Sequence, residues 1–94
     1  MMKFTTDANV NGTSLQGYFT TTYEKLVQTF GEPSYEGGDK TTCEWHLEFE
    51  DGTVATIYDW KEYTTPYGEY RWHIGGRDYS AVERVTECLN GVTV

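Results

Sequence analysis

The sequence contains few of the residues on which enzymatic and metal chemistry depend. Among its 94 residues there are only two cysteines, two histidines and two prolines. It has no nucleophile–base motif, no glycine-rich phosphate loop and no cluster with metal-ligand spacing. These absences predict a protein that is not an enzyme and that holds no cofactor or metal.

Basic residues are also scarce, with seven lysines and arginines against fifteen acids and a formal net charge of −8. Such a chain repels phosphates, so we expect no direct binding to nucleic acid or to an anionic membrane. No stretch approaches the roughly 20 apolar residues of a membrane span, and the N-terminus lacks the apolar segment of a signal peptide. A cytoplasmic protein whose partner carries a basic surface, or whose ligand is a cation, is expected.

Aromatic side chains compensate for a hydrophobic fraction of only 37%, because they make up 16% of the chain. Each large ring removes about 150–250 Å² from water when buried, so one modest core is within reach. The sequence therefore predicts a single folded domain over 1–94. We expect Cys43 and Cys88 to be small buried side chains in that core rather than a disulfide.

Two stretches, about 22–30 and about 81–90, have the apolar period of an amphipathic helix. Each follows a capping-box pair, Thr21 with Glu24 and Ser80 with Glu83. Their apolar stripes are Tyr23, Leu26, Val27 and Phe30 in the first, and Val82, Val85 and Leu89, with Cys88 beside them, in the second. Glycine follows both helices and favours their ends there.

Residues of about 41–60 alternate between apolar and polar, which predicts a β-hairpin. Asp51-Gly52 is typical of a two-residue turn. With that turn the apolar face pairs Phe49 with Val54, Leu47 with Thr56, Trp45 with Tyr58 and Cys43 with Trp60. A bulged turn would shift every pair by one residue.

A third strand is predicted at about 70–74, ending at Gly75-Gly76, and "LQGYF" could add a strand before the first helix. Residues 1–13 are predicted to be a loop or an edge strand. The resulting fold class is α+β, a two-layer arrangement of three or four antiparallel strands packed against two helices. In this arrangement Tyr58, Trp60, Tyr70 and Trp72 point into the core.

Two resemblances appear in the sequence. The run from about Thr21 to Trp60, with a helix closing on "FGEP" and a strand pair around "FEDGTV", loosely resembles β-lactamase-inhibitor-protein-like and BamE/SmpA-like binding domains. The segments "FGEP", "CEWHLEFEDGTVATIYDWKEY" and "WHIGG" resemble short uncharacterised proteins of tailed bacteriophages. The second resemblance implies a phage-encoded protein in the cytoplasm of the bacterial host and brings no catalytic residues with it.

The acidic run is the strongest functional signal, since eight acids and only Lys40 lie between Glu32 and Asp59, a local balance of −7. Carboxylates on alternate strand positions lie near the spacing of successive phosphates. We therefore predict inhibition of a host defence factor, such as a CRISPR–Cas effector or another nucleic-acid-binding protein. The inhibitor would act by protein–protein contact, and its carboxylates could mimic phosphates. The predicted contact residues are Glu44, Glu48, Glu50, Asp59, Tyr63 and Tyr67.

Other interpretations stay open. The chain could be a sponge for a nucleotide-type immune signal, with aromatic rings stacking on the base and Arg71, His73, Gly75, Gly76 and Arg77 holding phosphate. Gly75-Gly76 could instead be a plain turn that needs positive φ. Glu44, His46 and Glu48, helped by His73, could hold a metal, but a solvated polar face is expected. A structural phage protein and a homodimer are further alternatives.

Overall fold

The computed structural model describes residues 3–91. Within them the chain forms six strands and two helices: β1 (Phe4–Thr5), β2 (Ser14–Thr21), α1 (Tyr23–Phe30), β3 (Tyr35–Glu36), β4 (Cys43–Phe49), β5 (Val54–Tyr58), β6 (Tyr70–Gly76) and α2 (Ser80–Leu89). The strands make one antiparallel sheet in the order β1-β4-β5-β6-β2, and β3 pairs with the other end of β4. The predicted α+β class is confirmed, with more strands than expected.

The two helices cover one face of the sheet, and the opposite face is called the open face here. The apolar stripes of α1 and α2 enter the core as predicted, together with Cys43 and Cys88, which are buried and not bonded to each other. The indoles of Trp45 and Trp72 lie at the centre, edge to face with ring centroids 5.6 Å apart. None of the helices in residues 3–91 is long and apolar enough to cross a membrane.

The buried tryptophans also fix the position of α1. Trp72 Nε1 donates to the carbonyl of Thr21 just before the helix (3.1 Å), and Trp45 Nε1 donates to the carbonyl of Gly31 just after it (2.9 Å). Both indole N–H groups are thereby satisfied inside the core, where an unpaired donor would be costly. One sheet residue thus holds each end of the helix.

The hairpin register predicted from a two-residue turn is wrong by one residue. Trp45 pairs with Ile57 and Leu47 pairs with Ala55. The amide of Phe49 bonds to the carbonyl of Thr53, so the turn has three residues and ends on Gly52, whose φ is +88°. This is the bulged turn, in which a left-handed glycine follows the tight bend.

This shift moves two aromatic side chains out of the predicted core. Tyr58 pairs with Glu44 and lies on the open face, and Trp60, beyond the end of β5, is 41% exposed. Trp72 is fully buried as predicted, and Tyr70 packs partly against the core. Half of the predicted aromatic core is therefore surface.

Gly75 and Gly76 are the last two residues of the third strand, β6, and do not form a turn after it. Each lies in the ladder between β5 and β2. A Cβ on Gly75 would collide with the hydroxyl of Thr56, and a Cβ on Gly76 would collide with Ala81. The glycines are needed because neighbouring atoms approach their backbone closely. The prediction that they form a positive-φ turn is wrong, and so is the prediction that they hold phosphate.

The helix starts differ slightly from the predicted capping boxes. Thr22, not Thr21, caps α1 by accepting a hydrogen bond from the amide of Lys25 at 3.1 Å. Ser80 lies within α2, and the carboxylate of Asp78 accepts hydrogen bonds from its amide and its hydroxyl. Each helix therefore begins within one or two residues of the predicted position.

Candidate functional site

The six residues predicted to contact a partner do not form one surface. Glu44 and Glu48 both extend from the open side of β4, but Glu50 lies in the hairpin turn beside Lys3. Glu44 is partly buried and engaged, because it accepts a hydrogen bond from Thr41 Oγ1 at 2.6 Å and lies 2.8 Å from His46 Nε2. The carboxylates of the hairpin therefore serve separate local contacts.

Asp59 cannot contact a partner, since its side chain is fully buried. Its carboxylate accepts hydrogen bonds from the amide and the hydroxyl of Thr42, both at 2.7 Å, and from the amide of Cys43 at 3.4 Å. The prediction for this residue is wrong. Asp59 closes the end of the β4–β5 pair from the inside, and no sequence pattern distinguishes it from the exposed acids around it.

Residues 61–69, which we name the tyrosine loop, present the two predicted anchors to solvent. The side chain of Tyr63 is fully exposed, and that of Tyr67 is 68% exposed with its ring edge against Tyr23, 4.9 Å between centroids. The loop is nevertheless attached at its base. Thr65 Oγ1 lies 2.9 Å from Thr42 Oγ1, and the amide of Lys61 donates to the carbonyl of Lys40 at 2.8 Å.

Carboxylate charges act on two tyrosines that adjoin the tyrosine loop, Tyr23 and Tyr70. Burial raises the pKa of Tyr23, and the negative charge of Glu32 and, to a smaller extent, that of Glu36 raise it further. Burial also raises the pKa of Tyr70, with Glu62 of the loop acting in the same direction. The acids involved are Glu32 and Glu36, which act on Tyr23 where Tyr67 packs, and Glu62 and Glu69, which belong to the loop; none of them was among the predicted contact residues. Glu32 and Glu36 belong to the acidic run, whereas Glu62 and Glu69 follow it.

Three rings form a row across the open face. The predicted register did not bring them together, because it placed Tyr58 in the core. Tyr58 of β5 pairs with His73 of β6, which pairs with Tyr18 of β2. The ring centroids are 5.3 Å apart for Tyr58 and His73, which are stacked, and 5.1 Å apart for His73 and Tyr18, which meet edge to face. We name these three side chains the aromatic row.

The residues predicted for a phosphate ligand separate into two groups. Arg71 and His73 lie together on the open face, where the Arg71 guanidinium is 3.9 Å from the centre of the Tyr18 ring. Arg77 instead donates to the carbonyls of Asn9 and Asn11 at 3.0–3.2 Å and holds the N-terminal loop in place. With Gly75 and Gly76 inside the ladder, only Arg71 and His73 of the five remain available.

The open face also decides the metal hypothesis. His46 pairs with Glu44, whereas His73 is enclosed by Tyr18 and Tyr58. Nowhere in residues 3–91 do three or more histidine, cysteine or acidic side chains come together as a possible metal site.

Comparison with known proteins adds no family to this description. No protein-family model, curated protein or solved structure matches the chain. The resemblance to tailed-bacteriophage proteins stays an expectation, and the functional assignment depends on the surfaces described above.

Proposed function

We propose that this protein is a binding protein without enzymatic activity that inhibits a protein of the bacterial host by direct contact. The observation that supports this proposal is the tyrosine loop, on which Tyr63 is fully exposed and Tyr67 is 68% exposed. Burial of two large rings against a partner would be favourable, because their apolar surface would be removed from water.

The loop is built for contact because its base is held while its tip is free. Thr65 is linked to Thr42, which is itself held by the buried Asp59, and Tyr67 rests on Tyr23. A loop that is already ordered loses less conformational entropy on binding. Tyrosine is moreover a common anchor at interfaces, because its ring is large, rigid and polar at one end.

The charge around the loop selects the partner. Glu62 and Glu69 of the loop, with Glu32 and Glu36 acting on the adjoining Tyr23, outnumber Lys40 and Lys61 and leave a negative field at this end of a chain whose net charge is −8. Such a field accelerates association with a basic surface. The basic groove of a nucleic-acid-binding protein, such as a CRISPR–Cas effector in the host cytoplasm, carries that charge, and the resemblance to phage proteins supports a host defence factor as the target.

A capture experiment tests this proposal. Wild-type protein, the Tyr63→Ala/Tyr67→Ala variant and Tyr79→Ala are immobilised and exposed to lysate of the bacterial host. Tyr79 is a matched control, since it is a tyrosine of comparable exposure (61%) at the start of α2. We expect one basic protein to be retained by wild type and Tyr79→Ala and lost from the double variant.

The purified partner then permits a kinetic test. Glu36→Lys/Glu62→Lys should mainly slow association, whereas removing the two tyrosines should raise the dissociation rate. Glu83→Lys on α2 reverses one charge away from the loop, half the change made by the double variant, and should leave both rates within about twofold. The affinity for the partner should decrease as salt rises from about 50 to 500 mM. An affinity that changes neither with salt nor with the glutamate substitutions would contradict the electrostatic part of the proposal.

A further inference from the structure

A groove on the open face is independent of the tyrosine loop. It has a volume of about 470 Å³ and is lined by Leu15, Tyr18, Tyr58, Trp60 and His73. The aromatic row is its floor, and Trp60 stands at one end. An adjoining cavity of about 230 Å³ shares Tyr58 and Trp60 with it and continues over Thr56 and Gly75.

Three of the seven basic side chains of this acidic protein lie around the groove, two beside Trp60 and one over Tyr18. The Nζ atoms of Lys40 and Lys61 lie 5.7 and 6.0 Å from the Trp60 ring centroid, and Arg71 lies over Tyr18. The salt bridges within residues 3–91 involve only His46 and Arg84 with nearby acids. These three cations therefore have no carboxylate within ion-pair distance and can receive an external anion.

The floor of the groove holds a polar atom without a partner. His73 Nδ1 is buried and makes no hydrogen bond within the described chain. Buried polar atoms are nearly always paired, so an unpaired nitrogen beneath the groove is an unusual feature of its floor. Burial, followed by the charge of Arg71, lowers the pKa of His73 and favours the neutral ring, which can donate or accept.

Gly75 lines the adjoining cavity and not the groove itself. A Cβ at this position would collide with the hydroxyl of Thr56 and approach the Tyr58 ring, so glycine is needed for these side chains to pack together. The three strands of the aromatic row span roughly 10 Å at the usual spacing of neighbouring strands. That length suits a planar ring with an attached sugar.

The geometry points to a binding site for a small nucleotide, with the base stacked on Trp60 beside Tyr58 and the phosphate held by the cations around the groove, Lys40, Lys61 and Arg71. Exposed aromatic faces accept bases of any sequence, and cations at the edge bind phosphate. A longer nucleic acid strand is disfavoured because its further phosphates would meet a protein of net charge −8. The site uses none of the residues of the tyrosine loop except Lys61 at its base.

Tryptophan fluorescence provides the test. Trp45 and Trp72 are fully buried and Trp60 is 41% exposed, so a stacked base should quench mainly Trp60. The wild-type protein is titrated with AMP, UMP, adenosine, inorganic phosphate and a short oligoadenylate. We expect saturable quenching by the mononucleotides with Kd below about 1 mM, and at least about tenfold weaker binding of adenosine or phosphate alone.

Variants assign the contacts, with affinities measured by calorimetry. Arg71→Gln and Lys61→Gln should each weaken AMP binding by about threefold or more, and Trp60→Leu by about tenfold or more, since stacking and phosphate contacts are lost. Lys25→Gln removes the same charge from the exposed side of α1 and should leave the affinity unchanged. Equal losses in Lys25→Gln would show a nonspecific charge effect and overturn the site.

Three other outcomes would also overturn it: no saturable binding of either mononucleotide, phosphate alone binding as tightly as AMP, or binding of the oligoadenylate only. The Tyr63→Ala/Tyr67→Ala variant should bind AMP as wild type does. Because that variant tests partner binding separately, failure of the nucleotide site and failure of the proposed inhibitor function are distinguishable.

Discussion

Asp59 accepts hydrogen bonds from both the backbone amide and the hydroxyl of Thr42, each at 2.7 Å, although its carboxylate is completely buried. The same hydroxyl of Thr42 lies 2.9 Å from that of Thr65. Through these contacts one carboxylate joins the end of β5, the segment before β4 and the tyrosine loop. The loop that carries the exposed Tyr63 and Tyr67 is thus held in place through Asp59, a buried carboxylate that no partner can contact.

Replacement of Asp59 by alanine should lower the free energy of unfolding by about 2–4 kcal/mol, because the amide and the hydroxyl of Thr42 lose their acceptor inside the protein. Urea denaturation measures the change. Asp39→Ala, which removes an exposed carboxylate from the preceding loop, should stay within about 0.5 kcal/mol of wild type. Equal stability of the two variants would show that the buried network contributes little.

Gly76→Ala should destabilise the protein by about 1–3 kcal/mol, since its methyl group would collide with Ala81 of α2 and move the helix from the sheet. Gly68→Ala is the matched control, because a Cβ there meets open space and its φ is not in the left-handed region. It should be neutral or slightly stabilising. Thermal unfolding of both variants distinguishes close packing from a general effect of alanine.

The two thiols should be almost unreactive in the native protein. Burial raises the pKa of Cys43 to about 11 and also raises that of Cys88. At pH 8 the reactive thiolate of Cys43 is therefore depleted on the order of 100-fold relative to a free cysteine, apart from any shielding. Labelling with a thiol reagent should be slow until denaturant is added, and then modify both residues. Rapid labelling of native Cys88→Ala would contradict the buried position of Cys43.

Acidification should cost stability through His73. Burial is the main cause that lowers its pKa in the folded state, and the charge of Arg71 adds to it. Below the ordinary value of 6.5 the unfolded chain binds a proton that the folded chain refuses, so stability falls as the pH decreases through this range and is regained above it. NMR titration should place the His73 pKa below 6.5.

Unfolding at pH 7.5 and 5.5 measures the consequence. The decrease between these values should be smaller in His73→Asn, which keeps a polar side chain but cannot titrate. An unchanged decrease in that variant would assign the pH dependence to other groups.

Local patterns predicted most elements of the fold. The stripes of Tyr23 to Phe30 and of Val82 to Leu89 repeat at the helical period, and the alternation from Cys43 to Phe49 has the period of a strand, so each could be identified from neighbouring residues alone. The loop position of Tyr63 and Tyr67 was predicted in the same way, because no helical or strand periodicity at these positions predicts burial. Whether they contact a partner stays a prediction.

Sequence by itself thus determined the two helices and the apolar side of each and of β4, because those properties depend on spacing along the chain. Only the tertiary structure decided the register of the hairpin at Gly52. One additional residue in the turn moves every side chain of β5 to the opposite face of the sheet. That single residue placed Tyr58 beside His73 and Tyr18, which come from three separate strands. Burial of Asp59 was likewise decided in three dimensions, because its carboxylate meets the groups of Thr42 and Cys43 that donate to it only when β4 and β5 are paired.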